Sequence, residues 1–285
     1  MERYRSAING EISLYLERLL ERNRLSEAIA YSLLSGGKRL RPILVLIIAD
    51  AIGNLEGARK AAFAVECFHT ASLIADDLPC MDDDDFRRER PSLHKVFGQD
   101  IALLASYTLI AAGYEAIGEG GRNVEKGEDR VLLALETIGR SAGLKGATGG
   151  QFLDLHAENK DLETVLTIIE RKTVTLFQLS FSLGWIFGGG SMNEIGALEE
   201  TAAHLGRAFQ VADDLEDMGQ KKGTNIASLL GKEGAFLLFQ KEMELFVKGA
   251  KRLSLWKEPL ESLVTSFLQP IVAGSRMGFG ASAFA

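Results

Sequence analysis

Proline is scarce in this chain, with five residues in 285, and cysteine is scarcer, with only Cys67 and Cys80. So few prolines leave long helices uninterrupted. Two cysteines build no disulfide framework, which places the chain in a reducing compartment. There is no excess of positive charge. The net charge is −7, which excludes a nucleic-acid groove as the main function. Long hydrophobic runs are also missing. The longest, residues 42–49, is too short to span a bilayer. The start, Met1-Glu2-Arg3-Tyr4, carries an acid early and lacks a signal-peptide core. The expectation is a soluble cytoplasmic protein with no nucleic-acid partner and no membrane span.

No alternating strand pattern persists, and no proline-rich or low-complexity linker divides the chain. Hydrophobic residues make up 46%, and most of the chain reads as helix. Ile12, Leu14, Leu16, Leu19 and Leu20 fit an amphipathic first helix. Residues 42–52 and 61–78 read as buried helices, and 130–141, 162–187 and 192–215 as further ones. Glycines predict the breaks, at Gly36-Gly37, 118–121, 146–150 and 188–190. A length of 285 is near the upper limit for one hydrophobic core. The reading is one all-α domain over residues 1–285, a helical bundle.

What is abundant is acid, in two places. Ala75-Asp76-Asp77-Leu78 opens a run that continues through Pro79-Cys80-Met81 to Asp82-Asp83-Asp84-Asp85. Ala212-Asp213-Asp214-Leu215 opens a second run that ends in Glu216-Asp217. Both follow apolar, helix-like segments. Crowded carboxylates repel one another unless cations neutralise them, so the simplest reading is two facing clusters that hold divalent metal. Oxygen-only ligands favour a hard ion such as Mg²⁺, which usually shares its shell with a substrate phosphate. Asp213 and Asp217, four apart, share a helix face. Asp76 and Asp82, six apart, do not, but Pro79 ends the helix near Leu78 and lets the chain fold back. A surface acidic run is the plain alternative for either segment, and the repeat of the same apolar lead-in argues against it. A calcium loop is excluded, because Asp82 to Asp85 is continuous and lacks the central glycine.

The basic counterpart is Gly36-Gly37-Lys38-Arg39-Leu40-Arg41-Pro42. The glycines allow close backbone approach to a ligand, and Lys38 and Arg41, three apart, point to one side. Arg87-Arg88 follows the first acidic run, and Arg171-Lys172-Thr173 adds a cation and a hydroxyl. Guanidinium forks suit phosphate oxygens. Any single basic pair reads as a solvated face. Three of them flanking two acidic clusters suggest two bound polyanions, one on metal and one on Arg and Lys.

The Gly36-to-Pro42 segment, the run from Asp76 to Gly98, Gly149-Gly150-Gln151 with Asp154, Lys172-Thr173, and Phe209-Gln210-Val211-Ala212-Asp213-Asp214 together resemble the trans (E-type) isoprenyl diphosphate synthases. The likeness is to the short-chain farnesyl/geranylgeranyl diphosphate synthase branch, and it runs in order from about Ser35 to Gly231. It implies an all-helical bundle around a deep apolar cavity, usually a homodimer. It places Asp76, Asp77 and Asp82, and likewise Asp213, Asp214 and Asp217, on Mg²⁺. Arg87, Lys172, Thr173 and Gln210 would serve the allylic diphosphate. Lys38, Arg41, His69 and Arg88 would bind the diphosphate of isopentenyl diphosphate. His69, seven residues before Asp76, lies on the same helical stripe, although a lone histidine there also reads as a core residue. Catalysis would fall to Asp76, Asp82, Arg87, Lys172 and Asp213. The primers would be dimethylallyl, geranyl or farnesyl diphosphate, and Ala71, Phe68 and Tyr107 would set product length.

Several positions depart from the family pattern. Ala75 stands where histidine is common, Glu89 replaces a glycine, and Ser106-Tyr107 replaces Gly-Asp. The stretch after Asp217 is short, with Lys221 and Lys222, and the end, Phe279-Gly280-Ala281-Ser282-Ala283-Phe284-Ala285, lacks a basic tail. The expected activity is condensation to a C15–C20 diphosphate, leaning to geranylgeranyl diphosphate, with farnesyl diphosphate as the alternative product. A terpene cyclase does not need Lys38, Arg41 and His69. A low-activity partner subunit of another synthase should have lost an acidic cluster.

Overall fold

The computed structural model of the chain describes residues 1–19, 21–218 and 225–266. Leu20, the short stretch with Lys221 and Lys222, and the terminal Phe279 to Ala285 lie outside the described residues. Two compact units emerge, one of residues 1–134 with 183–190, the other of residues 135–182 with 191–285.

The first unit contains α1 (Glu2–Arg18), α2 (Arg24–Leu33), α3 (Leu40–Ile52), α4 (Arg59–Asp76), a hairpin of β1 (Phe86–Arg87) and β2 (Arg90–Pro91), α5 (Leu93–Phe97) and α6 (Gln99–Gly121). Helix α3 is apolar on every side and buried from Ile43 to Ala49, the pattern of a helix at the centre of a core. Helix α4 packs along α6 and against α3. In α1 the buried stripe is Tyr4, Ile8 and Ile12, at four-residue spacing. The expected stripe is therefore corrected: Leu14 is 48% exposed and the helix ends at Arg18, before Leu19.

The second unit holds the second half of α7 (Gly127–Ala142), then α8 (Ala147–His156), α9 (Leu162–Ile169), most of α10 (Thr175–Gly188), α11 (Ile195–Glu216) and α12 (Ile226–Arg252). Helices α11 and α12 pack on each other. Leu198, Ala202, Leu205, Ala208 and Ala212 of one and Ala235, Phe239, Met243, Phe246 and Ala250 of the other are buried at three- and four-residue spacing.

The all-α reading holds, with three local corrections. Residues 118–121 do not break the chain; α6 runs through them to Gly121. Gly149 and Gly150 lie inside α8. The helix read over residues 162–187 is interrupted at Glu170–Val174 by a π-helical turn, an insertion often found at functional sites. Among the described residues, α6 is also long and apolar enough to cross a bilayer, by length and composition alone. Its Gly, Ser, Thr and Tyr residues keep it from forming one unbroken apolar run in the sequence. In the fold it packs on α2, α4 and α5.

Replacing Ile8 by Ala is expected to lower stability by about 2–4 kcal/mol, through lost burial and the cavity left behind. Leu14→Ala should stay within about 0.5 kcal/mol. Urea unfolding of the two variants checks the corrected stripe.

Candidate active site

In the first unit α4 ends at Asp76, three residues before Pro79. The chain then turns back: the Asp82 N–H donates to the Asp76 carbonyl at 2.9 Å, and the N–H groups of Met81 and Asp83 donate to Leu78 O at 2.8 and 3.2 Å. The expected approach of Asp82 to Asp76 is thus made through the backbone. Asp76 is half-buried and Asp82 exposed.

Asp77 differs from both. It is 3% exposed, and its Oδ1 accepts from Arg87 Nε at 2.8 Å and from Arg87 Nη2. The same Nη2 donates to Asp84 Oδ2 at 2.9 Å. Burial pushes the Asp77 carboxyl above its usual range, against the pull of Arg87. Asp77, grouped by sequence with the metal ligands, here fixes Arg87, and Arg87 is held at the root of the acidic loop.

The basic segment lies at the start of α3. Gly36 and Gly37 have φ of 79° and 106°, and Arg39 has φ of 51°. Gly37 also meets a close approach: a Cβ there would fall 2.6 Å from Arg88 Cζ and displace that guanidinium, and its φ of 106° itself favours glycine. Arg88 Nη1 donates to Gly36 O. Lys38 precedes the helix and is exposed, so its three-residue spacing to Arg41 is not a helical one. Arg41 Nη1 lies 3.4 Å from His69 Nε2. Burial pushes Arg41 down to about 10, with Arg88 adding to the fall and Glu66 opposing it. Burial, then Arg41, Arg88 and Arg39, hold His69 well below the usual imidazole range. His69 thus stands among three guanidiniums, a concentration of positive charge that an anion would complement.

Two residues of this cluster went unread in the sequence. Glu66, fully buried on α4, pairs with Arg39, and Arg39 also donates to Leu33 O. Thr70 Oγ1 donates to the same Glu66 oxygen at 3.2 Å. The available signal was a lone carboxylate inside an apolar helix. Removing one partner of such a buried pair costs about 3–5 kcal/mol.

In the second unit, α8 lies against the π turn so closely that a Cβ at Gly150 would fall 2.5 Å from Lys172 N. Lys172 Nζ donates to Asp154 Oδ2 at 2.7 Å. Thr173 Oγ1 donates to Gln210 Oε1 at 2.8 Å, and Gln210 Nε2 to Asp214 Oδ1 at 2.9 Å. The other Asp214 oxygen accepts from the Ile226 N–H at 2.7 Å, and Asn225 Nδ2 donates to Asp214 O at 2.9 Å. Asp214, read as a metal ligand, is therefore buried and ties the first residue of α12 to α11. Asp213 is exposed and Asp217 half-buried, one turn apart where α11 ends. The π turn has its own anchor, Arg207, which donates from Nε and Nη2 to the two oxygens of Glu170 and from Nη1 to Glu242.

Of the residues read as length-setting, Ala71 is buried on α4 and its carbonyl accepts from Ser106 Oγ at 3.0 Å. The Phe68 ring meets Tyr114 edge-on at 5.3 Å. Tyr107 is 59% exposed. Among the described residues, no three His, Cys, Asp or Glu side chains are grouped closely enough to hold a metal ion. Exposed carboxylates repel and stand apart until a cation draws them together. Their chemistry, oxygen donors alone, fits a hard divalent ion.

The profile of the polyprenyl synthetase family matches residues 22–229. The chain is 37% identical over 280 residues to the farnesyl diphosphate synthase of Bacillus subtilis (strain 168), covering 91% of this chain and 93% of that one. It is 41% identical over 221 residues to the chloroplastic heterodimeric geranylgeranyl pyrophosphate synthase large subunit 1 of Arabidopsis thaliana, covering 75% of this chain and 59% of that one. The crystal structure of an FPP/GFPP synthase from Zymomonas mobilis superposes with a TM-score of 0.84 at 30% identity, covering 93% and 97% of the two chains.

The hairpin turn shows what one departure from the family pattern costs. Arg88 and Glu89 have φ of 54° and 64°, and they are the two residues between the paired Arg87 and Arg90. Such a turn needs positive φ at both central positions, where glycine is unstrained. Glu89→Gly is therefore expected to raise stability by about 0.5–1 kcal/mol, and Glu89→Ala to give no such gain. Thermal melts of the two variants decide it.

Proposed function

Because the chain belongs to the polyprenyl synthetase family and is a short-chain trans-prenyltransferase, we propose that it condenses isopentenyl diphosphate with an allylic diphosphate to a C15–C20 product. The observation that supports the site assignment is the cluster of Arg41, His69 and Arg88, in which Arg41 Nη1 lies 3.4 Å from His69 Nε2 and Arg88 Nη1 donates to the carbonyl of Gly36 in the turn before Lys38. Lys38, Arg41, His69 and Arg88 would hold the diphosphate of isopentenyl diphosphate. Arg87, fixed by Asp77 and Asp84, and Lys172, Thr173 and Gln210 on the π turn and α11, would hold the allylic diphosphate. Asp76, Asp82, Asp213 and Asp217 would hold Mg²⁺, which when bound neutralises the diphosphate and assists its departure as a Lewis acid. The side-chain cations stabilise the same departing charge.

In the reaction the allylic C–O bond breaks, and the double bond of isopentenyl diphosphate attacks the allylic cation to form the new C–C bond. The resulting tertiary cation loses a proton to the released diphosphate and gains the new double bond. No side-chain base is needed.

Residues 1–285 would act as one domain, since the family match takes in parts of both units. Two unpaired cysteines, Cys67 and Cys80, favour the cytoplasm. We read the active form as a homodimer, supported by the face of α6 that exposes Leu103, Leu104, Tyr107, Ile110 and Tyr114.

The purified chain with isopentenyl diphosphate, geranyl diphosphate and Mg²⁺ should release diphosphate, and chelator should stop the release. No release with dimethylallyl, geranyl or farnesyl diphosphate overturns the reading. Asp213→Ala should lower turnover at least about a hundredfold with the melt unchanged. Asp214→Ala should lower the melt as well, by about 1–3 kcal/mol of stability, because Gln210 and the Ile226 N–H lose their acceptor.

Product length follows from α4. Ala71 leaves the prenyl tail room, and Phe68 lies three residues deeper, a rise of about 4.5 Å, close to one isoprene unit. This favours the C20 product. Tyr107, exposed on α6, is the weaker candidate for the floor. Ala71→Tyr should shift the product towards C15 and Phe68→Ala should permit chains beyond C20, read by chromatography. An unchanged distribution in both variants places the floor elsewhere.

A further inference from the structure

Arg39 stands between Lys38 and Arg41, both assigned above to the diphosphate of isopentenyl diphosphate, yet its side chain turns the other way. Its guanidinium is buried on Glu66 and on the carbonyl of Leu33, the last residue of α2. Glu66 lies on α4 one turn before His69 and Thr70, and the oxygen that receives Arg39 also receives Thr70 Oγ1 at 3.2 Å. The second Glu66 oxygen, Oε2, is buried with no hydrogen-bond partner among the described residues.

By charge alone this carboxylate is out of place. It lies beneath a receptor for a polyanion and weakens the field that would draw the anion in. Its contribution must then be geometric. Arg39 holds φ of 51° at the N-cap of α3, a conformation L-residues seldom adopt. Its two contacts tie the end of α2, the start of α3 and the middle of α4 into one node. That node sets the backbone on which Lys38 and Arg41 are carried, relative to the helix that carries His69.

We propose that Glu66 and Arg39 are positioning residues for the diphosphate of isopentenyl diphosphate, fixing residue 39 so that Lys38, Arg41 and His69 converge on one anion. The inference rests on the site assignment made under Proposed function. Geometry and charge then predict opposite results for one substitution. Glu66→Gln makes the site more positive, so a receptor acting by charge alone binds the anion more tightly. A receptor that depends on the Arg39–Glu66 node binds it less tightly.

Steady-state kinetics at saturating allylic diphosphate test this. Glu66→Gln is expected to raise the KM for isopentenyl diphosphate about tenfold or more, with the allylic KM within about twofold and kcat within about threefold of wild type. Glu66→Gln leaves Arg39 buried without its anion and can fail to fold. The double variant Arg39→Met with Glu66→Met removes both charges together, leaves the net charge unchanged, and is expected to show the same rise in KM. An unchanged or lower KM in Glu66→Gln overturns the proposal, as does a wild-type KM in the double variant. A wild-type protein that releases no diphosphate overturns the site assignment itself, and the inference with it.

Discussion

The rotation of α4 is the constraint on which the first unit depends. One face of this helix is pressed along α6 and another against α3, and close packing of that kind admits few alternative rotations. Once it is fixed, the side chains that α4 carries have fixed directions: Glu66 beneath the basic segment, His69 among the guanidiniums, Phe68 and Ala71 towards the proposed tail, and Asp76 at the turn. A single apolar helix thus sets the spacing between the basic cluster, the proposed length-setting residues and the acidic loop. The polar groups on it are tolerated because they are paired or sit at its end.

The acids fall into two physical kinds. Asp77, Asp154 and Asp214 have their oxygens engaged by Arg87, by Lys172, and by Gln210 with the Ile226 N–H. They anchor the groups around them. Asp82 and Asp213 are exposed and Asp76 and Asp217 half-buried, at the ends of α4 and α11. There each carboxylate is closer to solvent than the buried Asp77 and Asp214. A run of aspartates is therefore not a set of equivalent ligands; burial assigns each one its part.

Much of this was legible in the sequence. Apolar periodicity and scarce proline gave the all-α class, and Pro79 gave the turn that brings Asp82 back to Asp76. The acid and base motifs carried the family, and with it most of the residues of both proposed polyanion sites. What could not be read was partner choice. Nothing in the letters separates Asp213, exposed, from its neighbour Asp214, buried, because that depends on where α12 begins. Arg39 and Lys38 look alike in sequence, and only the left-handed backbone at residue 39 sends one inward and leaves the other in solvent. Ile12 was read correctly, but Tyr4 and Ile8 lost to Leu14, Leu16 and Leu19 because the leucines are denser in sequence, although the stripe that packs is the earlier one. The π turn was invisible because its composition is that of an ordinary helix.

That turn has a consequence for how the chain can vary. A π turn is an α-helix with one residue too many, held in place here by Arg207 on Glu170 and by α8 against Lys172. Deleting any one residue between Glu170 and Val174 would let the segment relax to a regular helix. The helices on either side would keep their phase, because the wider turn already absorbs the extra residue, but the side chains within the turn would change direction. Lys172 and Thr173 would leave Asp154 and Gln210 even if neither was the residue removed. Substitutions there are ordinary changes of side chain, whereas a change of length would re-aim every side chain within the turn. Across variants of this chain, then, the count of residues from α9 to α10 should be more rigid than their identity.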